Sequence, residues 1–296
     1  MSYHYRQLGI KTQKVVIDAG MSCPNKDGTK GTGGCIFCEG GSGYFTLAPT
    51  VPITEQIKAE AERICRKYPD ARLIGYFQSN TNTYCSDECL YEILDEAVKS
   101  GLLSFLAIGT RPDCLDDGKI EIIKHFNSVL PVTVELGLQS ANDETARKIN
   151  RGYDFTEFLT AFNKLKSNSI RTCVHLIDGL PGETADDMIR TAEIIGKLKP
   201  DALKIHLLFV IRDTKMAELY LDGNYTPLEF DEYIDILIRQ LEKIPAETVI
   251  ERVTGDGDKS KLLAPVWSKD KIRVLGTIDK EFAGRNTWQG RLYLAE

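Results

Sequence analysis

Several features are absent from this sequence, and each absence excludes a class of protein. No apolar run approaches the roughly 20 residues that a membrane-spanning helix needs. The first six residues, Met-Ser-Tyr-His-Tyr-Arg, lack the apolar stretch of a secretory signal. Positive charge is not in excess either, because the net charge is −6, which argues against a generic polyanion binder. We therefore expect a cytoplasmic protein with no membrane segment.

What the sequence does contain is typical of an enzyme with a metal site. The 296 residues are 42% hydrophobic and 27% charged, as in an ordinary globular protein. The chain has eight cysteines. Without a secretory signal, that number indicates a reducing compartment and metal binding, because disulfides persist in oxidising compartments.

Three of the cysteines, Cys23, Cys35 and Cys38, lie close together near the N-terminus. Three thiolates can hold three irons of a [4Fe–4S] cluster and leave the fourth iron open to a small molecule, whereas ferredoxin clusters use four cysteines. Cys35 and Cys38 form a short chelating pair. The stretch from residue 24 to residue 34 is rich in glycine and can wrap a cluster with its backbone N–H groups.

The cysteines alone leave other interpretations open. A single Cys-x2-Cys pair also fits a redox dithiol or zinc. A structural zinc site needs four ligands, and His4 or Cys65 could supply the fourth. The pair Cys85-x3-Cys89 could indicate a second cluster, although free cysteines are commonly buried as small apolar residues.

The middle of the chain alternates between predicted strands and predicted helices. Short apolar runs predict six strands, near 15–17 and at 73–77, 105–108, 132–136, 173–177 and 203–209. Helical spacing fills the intervals, and Thr184-x-x-Asp187 predicts a capping box at one helix start. Six βα units predict an α/β fold with parallel strands. We expect a core domain over 1–245 and a C-terminal extension over 246–296, where the rhythm fades.

Polar residues follow the strands at their C-terminal ends, where α/β barrels build their active sites. The first strand leads into the cysteine segment. The later strands end in 78–83, 109–113, 135–140 and 175–183. Each polar group alone is an ordinary strand cap, but their joint placement at one rim predicts a site.

These residues resemble the radical S-adenosylmethionine (radical SAM) superfamily, and within it a bacterial family related to the Elp3 and coproporphyrinogen-oxidase branches. The resemblance covers nearly the whole chain. It is carried by Asp18-Ala-Gly, Cys-Pro-Asn-x-Asp-Gly-Thr, Gly-Gly-Cys-x-Phe-Cys, Gly109-Thr-Arg-Pro-Asp, Glu135-x-Gly-x-Gln-Ser, Asn150-Arg-Gly, Gly179-Leu-Pro-Gly-Glu, Lys204-Ile-His-Leu and Ala264-Pro-x-Trp267.

The resemblance implies a partial (β/α)6 barrel of the TIM type, a [4Fe–4S] cluster bound by the three cysteines, and S-adenosylmethionine on the open iron. It implies cofactor contacts for Phe37, Gln78, Ser79, Glu135, Gln139, Arg151 and His175. In this assignment Phe37 packs on the adenine, Gln139 binds the ribose, and Arg151 pairs with the cofactor carboxylate. The usual Gly-Gly-Glu after the second strand is absent, and residues 78–83 stand in its place.

The resemblance also implies a substrate and partners. It implies tRNA, modified on the C5 side chain of the wobble uridine from carboxymethylaminomethyl to aminomethyl, and a flavodoxin or ferredoxin as electron donor. Residues that could contact RNA are Lys26, Lys30, Arg212, Lys215 and Tyr220. Two alternatives remain: a radical SAM enzyme acting on a small molecule or peptide, and a noncatalytic iron–sulfur or zinc protein that binds RNA.

Overall fold

The computed structural model describes residues 9–39, 47–255 and 258–294, and His4 lies outside them. The described strands are β1 (Thr12–Ile17), β2 (Arg72–Phe77), β3 (Phe105–Thr110), β4 (Val132–Gln139), β5 (Arg171–Asp178), β6 (Ala202–Leu207), β7 (Val210–Ile211), β8 (Val249–Arg252) and β9 (Leu262–Ala264). The described α-helices are α1 (Ile53–Lys67), α2 (Asp87–Lys99), α3 (Asp117–Asn127), α4 (Asp143–Lys148), α5 (Phe155–Ser167), α6 (Ala185–Leu198), α7 (Lys215–Leu221), α8 (Phe230–Lys243) and α9 (Lys271–Gly284).

Seven of these strands form one sheet in the order β1-β2-β3-β4-β5-β6-β8. The pairs β1–β2, β2–β3, β3–β4 and β6–β8 are parallel, while β7 and β9 form a separate antiparallel pair. All six strands predicted from the sequence are present. Strand β8 is not among them, because it lies beyond residue 245, where the strand and helix rhythm of the sequence fades.

The described residues group into two compact units whose chain segments alternate. Among the described residues, the first unit takes 9–33, 47–137 and 156–174, and the second takes 34–39, 138–155, 175–255 and 258–294. The division of the chain into a core over 1–245 and an extension over 246–296 stays a prediction.

The sheet residues of the first unit alternate between two faces. Val15 and Ile17 are fully buried on the face where helix α1 packs. Gly75 belongs to the same face, because a Cβ there would meet the Ile17 side chain at 3.4 Å. The opposite face carries a smaller apolar cluster around Ile74, Tyr76 and Ala107, with the partly buried Ile10, Val16 and Phe105 against it.

The second unit has its own apolar cluster. Its buried members are Ile149, Leu180, Leu208, Val210, Met216, Ala217 and Ala264. Helix α6 begins with the capping box that the sequence predicts: the Asp187 N–H donates to the Thr184 hydroxyl, and the Thr184 N–H donates to the Asp187 carboxylate. This helix packs against α8.

Candidate active site

The Cys35–Cys38 segment of the second unit is a tight turn held by backbone hydrogen bonds. The Cys38 N–H donates to the Cys35 carbonyl at 2.9 Å. Between them, the Ile36 N–H donates to the Ile149 carbonyl at 3.1 Å, and the Ile36 carbonyl accepts from Met216 at 2.9 Å. The turn is therefore anchored on both sides by backbone hydrogen bonds.

Phe37 lies in the same turn and is half-buried against the apolar cluster of the second unit. The Asn150 side-chain amide donates to the Gly34 carbonyl at 2.7 Å, which ties the start of the turn to the residue before Arg151. Phe37 thus packs on protein along part of its ring. Its predicted contact with the adenine stays a prediction.

Cys23 lies in the first unit and also begins a turn. Its carbonyl accepts the N–H groups of Lys26 at 2.8 Å and of Asp27 at 3.3 Å. The loop that follows is closely packed, because a Cβ on Gly31 would collide with the Asn25 side chain. A side chain at this position would have to displace the buried Asn25 amide.

The chemistry of these thiols fits an iron–sulfur cluster. Cys23, Cys35 and Cys38 are free cysteines, and none of them is buried. Accessible thiolates on short turns are the usual ligands of such clusters. Over residues 9–39, 47–255 and 258–294, no three His, Cys, Asp or Glu side chains are grouped closely enough to hold a metal ion.

Two other cysteines of the first unit are less suited to metal binding. Burial raises the pKa of the Cys85 thiol to about 12, with Cys89 as the second contributor. Burial likewise raises the pKa of Cys114 to about 12, with a smaller effect from Asp113. Because a metal ligand must be a thiolate, these thiols start from an unfavourable protonated state.

The segment after β2 carries Gln78 and Ser79, joined by a cis peptide bond. The Gln78 N–H donates to the Ile17 carbonyl at 3.2 Å. The Ser79 hydroxyl is buried and has no hydrogen-bond partner among the described residues. Both residues lie at the strand end where the sequence predicts cofactor contacts, and those contacts stay predictions.

Asn82 organises this segment, and the sequence analysis did not single it out. Its side-chain amide donates to the carbonyls of Phe77 at 3.2 Å, Ser79 at 3.2 Å and Gly109 at 2.9 Å. It therefore joins the ends of β2 and β3. The feature of the sequence that could have identified Asn82 is its position in the polar run 78–83, directly after a buried strand.

Glu135 is a buried carboxylate on β4 with two partners in the first unit. The Tyr76 hydroxyl donates to it at 2.8 Å, and the Lys14 ammonium lies 3.4 Å from its other oxygen. The same ammonium stands 3.8 Å from the centre of the Tyr76 ring. Glu135 is thus part of a polar group on strands β1, β2 and β4, and its predicted cofactor contact stays a prediction.

Gln139 ends β4 with a positive φ of 65° and is half-buried. Its side-chain oxygen accepts a hydrogen bond from the Tyr153 hydroxyl at 3.2 Å. That contact orients the amide, which can act as donor and acceptor towards a ribose. The predicted ribose contact is compatible with this orientation but is not tested by it.

Arg151 is fully buried, so its charge is not a solvated one on the protein surface. Its guanidinium donates to the carbonyls of Leu138 and Ser140, the latter at 2.6 Å, and to that of Tyr153 at 3.0 Å. Burial lowers its pKa, while Tyr153, Asp143 and Cys35 act in the opposite direction. Arg151 therefore fastens the strand end of β4 close to Cys35, and its predicted pairing with the cofactor carboxylate stays a prediction.

Two acidic residues lie at the end of β5: Asp178 is the last residue of the strand, and Glu183 closes the motif Gly179-Leu-Pro-Gly-Glu that follows it. Glu183 accepts a hydrogen bond from the Ser140 hydroxyl, and burial raises its pKa. Asp178 is completely buried, accepts from Gln240 at 2.7 Å, and has its pKa raised by burial to about 7. Neither residue was predicted from the sequence to have a role.

His175 on β5 lies beside His206 on β6. Their ring centres are 5.5 Å apart at 31° between planes. On the same strand as His206, the Lys204 ammonium lies 3.8 Å from Glu251, and both side chains are buried. His175 therefore belongs to a polar stretch of the second unit, and its predicted contact with the cofactor stays a prediction.

Comparison with known proteins identifies the class. Residues 28–195 match the radical SAM superfamily, and residues 200–283 match the radical SAM C-terminal domain. The first match spans more than half of the chain. The chain belongs to the radical SAM superfamily.

The chain is also similar to individual proteins over much of its length. The chain is 39% identical to YtqA of Bacillus subtilis (strain 168) over 295 residues, covering 99% of this chain and 92% of YtqA. It is 30% identical to Elongator complex protein 3 of Schizosaccharomyces pombe over 174 residues, covering 56% of this chain and 31% of that protein. The structure of the archaeal Elp3 of Methanocaldococcus infernus, lacking residues 1–46, superposes with a TM-score of 0.73 and 19% identity, over 95% of this chain and 65% of that one.

Three expectations from the sequence are therefore confirmed: the superfamily, the fold class of a partial (β/α)6 barrel, and the two cofactors of the family, a [4Fe–4S] cluster and S-adenosylmethionine. Membership also supports a radical SAM enzyme. Within the described ranges, every helix is too short or too polar to cross a membrane.

Proposed function

We propose that this radical SAM enzyme modifies tRNA on the C5 side chain of the wobble uridine, converting carboxymethylaminomethyl to aminomethyl. The observation that carries the proposal is the 30% identity to Elongator complex protein 3 over 56% of the chain. This relative belongs to the Elp3 branch, and the resemblance of the sequence motifs to that branch is what implies the tRNA substrate.

When bound, the [4Fe–4S] cluster and S-adenosylmethionine would supply one-electron radical chemistry directed at a substrate C–H bond. We propose Cys23, Cys35 and Cys38 as the cluster ligands. The contribution of the chain is then to bind, to orient and to exclude water.

We propose that some of these residues contact S-adenosylmethionine directly, whereas others hold neighbouring residues in position. Gln139, oriented by Tyr153 at 3.2 Å, would bind the ribose. The Phe37 ring would pack against the adenine. Arg151 would hold the end of β4 while it faces the cofactor carboxylate.

The remaining assignments concern the strand ends. Gln78 and the buried Ser79 hydroxyl would contact the cofactor in place of the absent Gly-Gly-Glu. Glu135 on β4 and His175 on β5 would also contact the cofactor. A flavodoxin or ferredoxin would deliver the electron.

Exposed basic residues would bind the RNA backbone despite the acidic net charge. Arg212 and Lys215 are exposed in the second unit. Lys26 and Lys30 belong to the first unit, but Lys30 already pairs with Asp113 at 3.0 Å. We therefore expect Arg212 and Lys215 to contribute more to RNA binding than Lys30.

Anaerobic incubation tests this function. Reconstituted enzyme is mixed with dithionite, S-adenosylmethionine and tRNA from a strain that lacks the gene, and the nucleosides are analysed by mass spectrometry. We expect 5′-deoxyadenosine together with conversion of one wobble nucleoside from the carboxymethylaminomethyl to the aminomethyl form. Cofactor cleavage that is indifferent to tRNA, with unchanged nucleosides, would refute the tRNA substrate and favour a small molecule or peptide.

A further inference from the structure

Lys14, Tyr76 and Glu135 form a charged group, called here the Lys14 group, on a mainly apolar face of the first unit that also carries Thr133. The face is opposite to the one covered by helix α1. Its other members include Ile74, Ala107 and Val16. Polar groups in such surroundings are costly to bury unless they are paired.

The small residues of β3 make the group possible. In the register of the sheet, Tyr76 lies beside Ala107, and Gly109 lies beside Glu135. Ala107 and Gly109 leave space above β3, so the Tyr76 hydroxyl reaches across that strand to Glu135 at 2.8 Å. The phenol thereby fixes the orientation of the carboxylate.

The two charges of the group differ in exposure. The Glu135 side chain is completely buried, whereas the Lys14 side chain keeps 24% of its surface exposed. The Lys14 ammonium lies 3.4 Å from the Glu135 carboxylate, on the more exposed side of the pair. A ligand that reaches this face therefore meets Lys14 first, with Glu135 directly behind it.

Stability alone does not favour such an arrangement. A buried ion pair is often no more stable than apolar residues of similar volume, because desolvation offsets the attraction. Titratable groups clustered in a buried position are frequently functional.

Paired opposite charges are complementary to a zwitterion. The carboxymethylaminomethyl group carries a carboxylate and a secondary ammonium on either side of one methylene. Their spacing is fixed by three covalent bonds and is similar to the separation of Lys14 and Glu135. The product, an aminomethyl group, has lost the whole carboxymethyl group and with it the negative charge.

We propose that the Lys14 group is the recognition site for the substrate side chain, with the Lys14 ammonium on the substrate carboxylate and Glu135 on its ammonium. The inference rests on the proposed function and names the residues that select the substrate within it. Tyr76 is then a positioning residue that acts through Glu135. This assignment competes with a direct contact between Glu135 and the cofactor.

Binding and turnover of two anticodon stem-loops test the proposal. One bears carboxymethylaminomethyluridine, and the other bears methylaminomethyluridine, which lacks the carboxylate. The variants are Lys14→Met, Lys14→Arg and the double variant Lys14→Met/Glu135→Gln, which leaves no buried charge unpaired. Lys11→Met is the matched control, because Lys11 is an exposed lysine directly before β1.

We expect Lys14→Met to raise KM for the carboxymethylaminomethyl substrate by about 10- to 100-fold, the range of a lost charge-assisted hydrogen bond. Lys14→Arg should recover part of the loss. The double variant should resemble Lys14→Met for this substrate. Iron content should stay at the wild-type value in all variants, and the Kd for S-adenosylmethionine should stay at the wild-type value in Lys14→Met and Lys14→Arg. Wild-type affinity for the stem-loop without the carboxylate should already be low.

Three results would overturn the proposal. KM could be unchanged in both Lys14→Met and the double variant, or equally raised in Lys11→Met. The Kd for S-adenosylmethionine could rise in step with KM in Lys14→Met, which would assign the Lys14 group to the cofactor instead. If the wild-type enzyme converts neither stem-loop, the proposed function itself fails and this inference falls with it.

Discussion

The side-chain amide of Gln240 donates a 2.7 Å hydrogen bond to the carboxylate of Asp178, and both side chains are buried. The second carboxylate oxygen of Asp178 has no hydrogen-bond partner among the described residues. Burial raises the Asp178 pKa from 3.8 to about 7, although the Gln240 hydrogen bond lowers it. One donor is therefore insufficient to keep this group ionised near neutral pH.

The raised pKa makes folding stability depend on pH. Between pH 4 and pH 7 the unfolded chain releases the Asp178 proton while the folded protein retains it, so the free energy of unfolding falls as pH rises. Relative to Asp178→Asn, the wild type should lose about 2–3 kcal/mol between pH 5 and pH 8. Anaerobic denaturation of the reconstituted proteins at both pH values measures the difference.

Asp186→Asn is the control for this experiment, because Asp186 lies on the exposed side of α6. Its stability should follow the wild type across the same pH range. A parallel loss in Asp178→Asn and the wild type would mean that Asp178 is already ionised at pH 5.

A prediction about Arg151 concerns the geometry of its hydrogen bonds and not only its charge. Lysine keeps the charge but cannot donate to Leu138, Ser140 and Tyr153 from one planar group. Arg151→Lys should therefore lower the free energy of unfolding by about 2–4 kcal/mol, because buried carbonyls lose their donors. Denaturant unfolding measures this, and calorimetry on the folded variant measures S-adenosylmethionine binding.

The neighbouring exposed Arg147 supplies the matched variant. Arg147→Lys should leave both stability and cofactor affinity unchanged. If Arg151→Lys is as stable as the wild type but binds the cofactor weakly, the arginine serves the ligand and not the strand end. Normal stability together with normal affinity would remove both roles.

Iron content tests the choice among the cysteines. Replacing Cys23, Cys35 or Cys38 with Ala should abolish the cluster of the reconstituted protein. The double variant Cys85→Ser/Cys89→Ser should keep its iron, because the pKa of Cys85, raised to about 12 by burial, disfavours the thiolate. Iron and sulfide analysis with absorption spectra measures both. Full iron in a Cys23→Ala variant would contradict the ligand assignment.

Local patterns in the sequence predicted much of this fold. The apolar runs of the strands and the capping box at Thr184 depend on neighbouring residues, and both are present. The strand ends also carry the polar residues that the pattern indicates. Strand β8 was not predictable in this way, because its four residues have no clear alternation and depend on pairing with β6.

The candidate site was less accessible to sequence reasoning, because its contacts join distant residues. Tyr76 and Glu135 are 59 positions apart, and their hydrogen bond depends on small residues in the strand between them. Arg151 has the sequence context of an exposed helix end, yet it is buried because the carbonyls of Leu138 and Ser140 provide its acceptors. Such facts follow from the packing of strands and not from periodicity.

Two helical glycines provide a final prediction, because their surroundings differ. A Cβ on Gly196 in α6 would collide with the Lys243 carbonyl oxygen at the end of α8, whereas a Cβ on Gly276 in α9 would meet nothing within 4 Å. Gly276→Ala should stabilise the protein by about 0.5–1 kcal/mol, since alanine restricts the unfolded chain and favours the helix. Gly196→Ala should instead destabilise it by about 1–3 kcal/mol, because α6 and α8 must move apart. Denaturant unfolding of both variants under the same conditions measures these opposite changes, and a stabilised Gly196→Ala variant would contradict the close approach of the two helices.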